Sequence, residues 1–194
     1  MAVCTDTGLP MAWAAETASK SEPPFVGSLL DMAGDRGAAA ETCAMDKGYD
    51  YGPVHAACQE RDCVPIIPLR NTGAVQKGEH RPPRCEHGEW RFAGSDYDRR
   101  AAKWRCPTGE CKSALRWIRA ERLHPLIPRE TLRWRGLYGK RASVEREFGR
   151  LKHEWALSPL RVRGLDRVRL HADLTILAKL SCALARARAV PLAA

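Results

Sequence analysis

Short extended segments alternate with helical ones through the first 69 residues, and few folds accept that rhythm. Met1-Ala2-Val3-Cys4 has the pattern of a strand, and Asp6-Thr7-Gly8 that of a turn, with Gly8 free to take a positive φ. Leu9 to Thr17 reads as the returning strand. Pro23-Pro24 leads into a helical pattern from Phe25 to about Arg36, with Leu29, Leu30 and Met32 apolar, and Gly37 ends it. Glu41 to Met45 is a strand, Tyr51 to Arg61 a helix, and Cys63 to Leu69 a strand whose prolines suit an edge. Strand, helix, strand, helix, strand implies an α/β core.

The rhythm then stops. Residues 70–112 are rich in Gly, Pro, Arg and Lys, hold three cysteines and read as an insertion. From Leu115 onward the pattern is mostly helical, with Ser158-Pro159 breaking two long helices. The expected organisation is therefore a partial α/β core over 1–69, a Cys/His-containing insertion over 70–112 and a basic helical part over 113–194. A length of 194 residues suits one domain with an insertion.

Charge separates the two ends of the chain. Residues 1–112 carry 14 basic and 16 acidic side chains, whereas residues 113–194 carry 18 and 7, a net +11. Such a basic half predicts a polyanionic partner, most simply nucleic acid. No run of 18 apolar residues exists, so no membrane partner is expected. The first residues lack a basic n-region and an apolar h-region, which points to the cytoplasm and makes the 8 cysteines thiols or metal ligands rather than a disulfide framework.

Tyr138-x2-Arg141-x3-Glu145-x6-Lys152 is the most specific pattern. At ~100° per residue the four fall within a ~60° stripe of one helix. Val144, Phe148, Leu151 and Trp155 fall on the adjacent face, which is expected to pack.

These four residues, at this spacing, resemble the Tyr-Arg-Glu-Lys signature of bacterial insertion-sequence transposases with a DDE catalytic domain. Thr7-Gly8-Leu9-Pro10, Met45-Asp46-Lys47-Gly48-Tyr49-Asp50 and Leu160-Arg161-Val162-Arg163-Gly164 resemble the same family in the same order, so the likeness spans residues 1 to about 185. It implies a ribonuclease-H-like mixed sheet flanked by helices. It also implies three carboxylates holding two divalent ions, Mg²⁺ or Mn²⁺, for phosphodiester cleavage and strand transfer at insertion-sequence ends. Asp46 would be the second carboxylate and Glu145 the third, with Tyr138, Arg141 and Lys152 on DNA phosphates near the cleaved bond.

In the family the first Asp precedes the hairpin that carries Thr7-Gly8, and no residue here takes that place. Asp6 lies in the turn, at the end of the sheet opposite Asp46. The expectation is thus a fold missing its first strand, and a fragment inactive, or nearly so, by itself. A non-catalytic DNA-binding or regulatory fragment is the alternative, acting on transposon ends, on a second copy of itself or on the full-length enzyme.

Cys85-x-His87 and Cys106-x4-Cys111 form two ligand pairs inside the insertion, a set that suits a structural Zn²⁺. Cys58 and Cys63 share a spacing but are expected to be held apart by a helix and the next strand. Cys4, Cys43 and Cys182 read as isolated and buried, and His171 as a satisfied core or boundary residue on an apolar face with Val168, Leu174, Leu177 and Leu184. Trp90, Phe92 and Trp104 are expected to pack within the insertion, with stacking on bases as the alternative.

Overall fold

A computed structural model describes residues 1–189. They form a mixed α/β architecture in two compact units, residues 1–40 with 141–189, and Glu41–Lys140.

In the first unit, β1 (Ala2–Val3) and β2 (Pro10–Ala12) form an antiparallel hairpin with Val3 opposite Pro10. Gly8, at φ +69°, closes its turn by donating from its N–H to the Cys4 carbonyl at 2.9 Å. The returning strand is shorter than its sequence pattern because β1 offers only two residues to pair with. Pro23–Phe25 forms one 3-10 turn and leads into α1 (Val26–Asp35). Val26, Leu30 and Ala33 recur at helical spacing and are buried, as is Ala12 of β2.

Glycines and a turn split the expected continuous helix around Glu145. Tyr138 lies in α4 (Leu132–Gly139), whereas Glu145 and Lys152 lie in α5 (Ala142–His153) and Arg141 is the N-cap of α5. The single stripe is therefore interrupted between Gly139 and Ala142, and Tyr138 falls in the other compact unit. The packed face of α5 also differs from the apolar one expected. Ser143, Glu147 and Leu151 are buried, and Phe148 is exposed. Glu147 sets this rotation, because its carboxylate meets Lys179 of α6 (Leu165–Ala189) at 2.8 Å with both side chains buried.

The same contact turns α6 so that Thr175, Ile176 and Lys179 face inward, while Leu170, Leu174, Leu177 and Leu184 are exposed. The leucine face expected to be core is thus the outer one among the described residues. His171 is half-buried, with its ring Nε2 3.0 Å from the Ala156 carbonyl, a satisfied boundary position.

The second unit is built on β3 (Thr42–Ala44) and β4 (Val64–Ile66), which pair in parallel with Cys43 opposite Pro65. Their crossover is α2 (Gly52–Gln59), begun by Pro53 in its first turn. Val64 and Ile66 join Leu126, Ile127 and Trp134 in a buried cluster, with Tyr138 stacked on Trp134 at 5.0 Å. After the one-turn helix α3 (Gly73–Gln76) comes a hairpin of β5 (Arg84–Cys85) and β6 (Gly88–Glu89). Then β7 (Arg91–Asp96), β8 (Ala101–Arg105) and β9 (Leu115–Arg119) form an antiparallel meander.

Leu115–Arg119 is therefore a strand and not the start of the helical part. Leu115 and Trp117, two apart and both exposed, share one face of this strand, which pairs along its length with β8. Phe92 and Trp104 pack edge to face at 5.9 Å, which confirms their packing role. Among the described residues no helix is long and apolar enough to cross a membrane.

Removing one partner of a buried ion pair strands the other in a poorly solvated site. Lys179→Ala is expected to lower the unfolding free energy by about 3–5 kcal/mol, measured by urea denaturation. A loss below about 1 kcal/mol, the scale of an exposed pair, would show that Glu147 is solvated.

Candidate nucleic-acid and metal sites

Asp46 follows the end of β3 and caps the 3-10 turn Lys47–Tyr49. Its Oδ1 accepts a hydrogen bond from the Gly48 N–H at 2.6 Å, which restricts the carboxylate's rotation. A Cβ at position 48 would stand 2.8 Å from that oxygen, so the turn requires glycine if Asp46 is to keep its place.

Four residues on, Asp50 does the anchoring. It is buried and accepts from Arg122 Nε at 3.1 Å and Nη2 at 2.8 Å, from the Arg70 N–H at 2.8 Å, and from His55 Nε2 at 3.1 Å. Arg129 completes the cluster by donating to the carbonyls of Ile67, Leu123 and Arg122. Sequence reading found the Asp46–Asp50 segment but gave Asp50 no role. The available signal was a carboxylate directly before a helix start, with a His five residues later.

Burial raises the Asp50 carboxyl, but the Arg70 N–H and the Arg122 guanidinium outweigh it and hold the group below its ordinary 3.8. His55 is held below its ordinary 6.5, because burial outweighs the attraction of Asp50. Burial also pulls Arg129 down to about 10, which leaves it charged at neutral pH.

Glu145 stands in the first turn of α5 with its side chain 61% exposed, and Arg141 Nη1 reaches its Oε1 at 2.7 Å. Lys152 is exposed in the last turn. Arg141, Glu145 and Lys152 thus share one unit, and Asp46 and Tyr138 the other.

The insertion's thiols do converge. Cys85 at the end of β5, Cys106 just after β8 and Cys111 in the following loop place their sulfurs within 4.8 Å of one another. Such a group could hold a metal ion. Burial raises the Cys106 thiol, but hydrogen bonds from Thr108 and Cys111 outweigh it and pull it down to about 6. Cys111 is pushed up to about 12, first by its hydrogen bond with Cys106 and then by burial. His87 is not part of the sulfur cluster. Its ring lies 3.3 Å from Glu86 Oε1 and 3.7 Å from Glu110 Oε2.

Two expectations about the other cysteines do not hold. Cys58 and Cys63 are together: the turn after α2, with Asp62 at φ +53°, brings the Cys63 N–H back to the Cys58 carbonyl at 3.0 Å, and their thiols hydrogen-bond. Cys43 also hydrogen-bonds with Cys63, so it is not isolated. Cys4 is half-buried and Cys182 exposed.

The transposase DDE domain family matches residues 1–179. The chain belongs to that family. No curated protein and no solved structure gives a significant match. Membership in the transposase DDE domain family implies DNA transposition, and with it DNA binding and dependence on divalent metal ions.

The Asp50 cluster makes the stability of this transposase-family chain depend on pH in a defined sense. Both Asp50 and His55 bind protons less readily folded than unfolded, so acid favours the unfolded state. The His55 contribution is complete above 6.5 and is lost as pH falls below that value, and that of Asp50 is lost below 3.8. Denaturation midpoints should therefore begin to fall below pH 6.5, and His55→Gln should flatten this first stage. An unchanged slope in His55→Gln would assign the acid sensitivity elsewhere.

Proposed function

We propose that the chain is the DNA-handling part of a bacterial insertion-sequence transposase, acting at the element's ends by divalent-metal chemistry, in the cytoplasm at the nucleoid. The single observation that carries this is the family match over residues 1–179, which includes Asp46 and the Tyr138, Arg141, Glu145, Lys152 set. A ribonuclease-H-like mixed sheet is the matching fold. The antiparallel β1–β2 pair and the parallel β3–β4 pair with its helical crossover support it, although the described residues hold them as separate two-stranded sheets.

In this reading Asp46 and Glu145 are ligands for Mg²⁺ or Mn²⁺, whose preference for hard oxygen donors they fit. When bound, such a pair of ions activates the attacking oxygen and stabilises the leaving one. The Gly48 N–H orients the Asp46 carboxylate. Arg141 neutralises Glu145 through an exposed pair, worth at most about 1 kcal/mol, which a divalent cation displaces at little cost. Tyr138, Arg141 and Lys152 hold backbone phosphates, with Arg able to bind them bidentately.

A second reading is favoured by one observation. Residues 113–194 carry a net +11, a charge that holds DNA without any cleavage chemistry. The chain would then bind transposon ends without cutting them, alone, as a homodimer or beside the full-length enzyme.

Fluorescence anisotropy with duplex DNA, followed by a cleavage assay in Mg²⁺, tests both. Binding should weaken steeply with salt, and Arg141→Ala or Lys152→Ala should each lower the salt slope by about one. Nicking that Glu145→Gln abolishes would remove the second reading, whereas salt-dependent binding without nicking would remove the first. Binding that does not respond to salt would overturn both.

A further inference from the structure

We propose that Cys85, Cys106, Cys111 and His87 form a closed structural Zn²⁺ centre that fastens the β5–β6 hairpin to the β7–β9 meander. This inference goes beyond the transposase reading and does not rest on it. Four sulfur and nitrogen donors suit zinc and not the hard cations that Asp46 and Glu145 would bind.

The sulfur spacing is that of ligands around one ion. Tetrahedral zinc with bonds of about 2.3 Å sets its sulfurs about 3.8 Å apart. The Cys85 and Cys106 sulfurs stand 3.8 Å apart, far beyond a disulfide, and Cys111 lies within 4.8 Å of both. The three come from two separate segments, the hairpin and the β8–β9 connection, so an ion there crosslinks the chain.

His87, whose ring lies outside the group of three sulfurs, would turn in as the fourth donor. It sits two residues after Cys85 at the hairpin tip, and its Nδ1 lies 3.7 Å from the carboxylate of Glu110, the neighbour of Cys111. Its present partners are exposed carboxylates, weakly held in water, and a zinc ion outcompetes them. The ligand set is then Cys85-x-His87 and Cys106-x4-Cys111.

Such a staple answers a deficit in the hairpin. β5 and β6 pair over only two residues each, and Arg84, Glu86 and Glu89 are exposed. A hairpin that short and that polar does not hold itself in water. Metal binding supplies what the missing apolar contacts do not.

The test uses the full chain, untagged and purified without chelator. Elemental analysis should find about one zinc ion per chain. Cobalt(II) replacing it should give thiolate-to-cobalt charge transfer and the visible bands of a tetrahedral site. Cys106→Ser should abolish stoichiometric binding, and Cys182→Ser, an exposed cysteine elsewhere, should leave it unchanged. His87→Ala should keep the charge-transfer band, shift the visible bands and weaken binding by roughly tenfold or more. Chelation should open Arg81 and Arg84 to trypsin. A metal-free wild-type chain that takes up no cobalt, or a Cys85–Cys106 disulfide in it, would overturn the centre. Unchanged visible bands in His87→Ala would overturn the fourth ligand.

Discussion

Asp50 accepts four hydrogen bonds from three directions, and the second unit is organised around that carboxylate. Arg122 arrives from the segment after β9, Arg70 from the segment after β4, and His55 from α2. Each donor ties a different part of the unit to the turn that begins at Asp46. Burying a charge is costly, and it is tolerated only where the remaining lone pairs are satisfied. Here they are, so the cost becomes a constraint: the Asp46 turn cannot shift without breaking a charged bond elsewhere. Arg129 extends this lock by fixing the carbonyls of Arg122 and Leu123.

Gly48 shows how tightly that turn is specified. Its missing side chain leaves room for the Asp46 oxygen, and its N–H holds that oxygen in place. Asp46 is thus held locally by Gly48 and at longer range by Asp50. A carboxylate positioned in this way has already spent its rotational freedom in folding, which under the proposed function lowers the cost of binding a cation.

The early alternation of strands and helices was legible because each element obeys its own period. β1, α1, β3, α2 and β4 all lie within the segments that the pattern marks. Elements whose orientation rests on one polar contact were not legible. Glu147 is charged, so any hydrophobic wheel places it outward, yet its pairing with Lys179 turns α5 and α6 inward on their polar sides. β9 was hidden for a related reason: pairing with β8, and not its own residues, makes Leu115–Arg119 a strand. Cys58 and Cys63 were misplaced because a turn with Asp62 at positive φ reverses the chain sooner than helix and strand lengths suggest.

Among the site residues, the sequence identified donors but not their company. The thiols of Cys85, Cys106 and Cys111 could be picked out by residue type and spacing and Asp46 by the family resemblance, whereas the single helix expected to carry Tyr138 through Lys152 is two. The division has a chemical logic. Under the proposed function the oxygen ligands must be reached by water and substrate, and both Asp46 and Glu145 are exposed. A staple needs soft ligands shielded from exchange, and Cys106 is 1% exposed. The contrast in burial is sharpest at Cys106, since Cys85 and Cys111 are only half-buried.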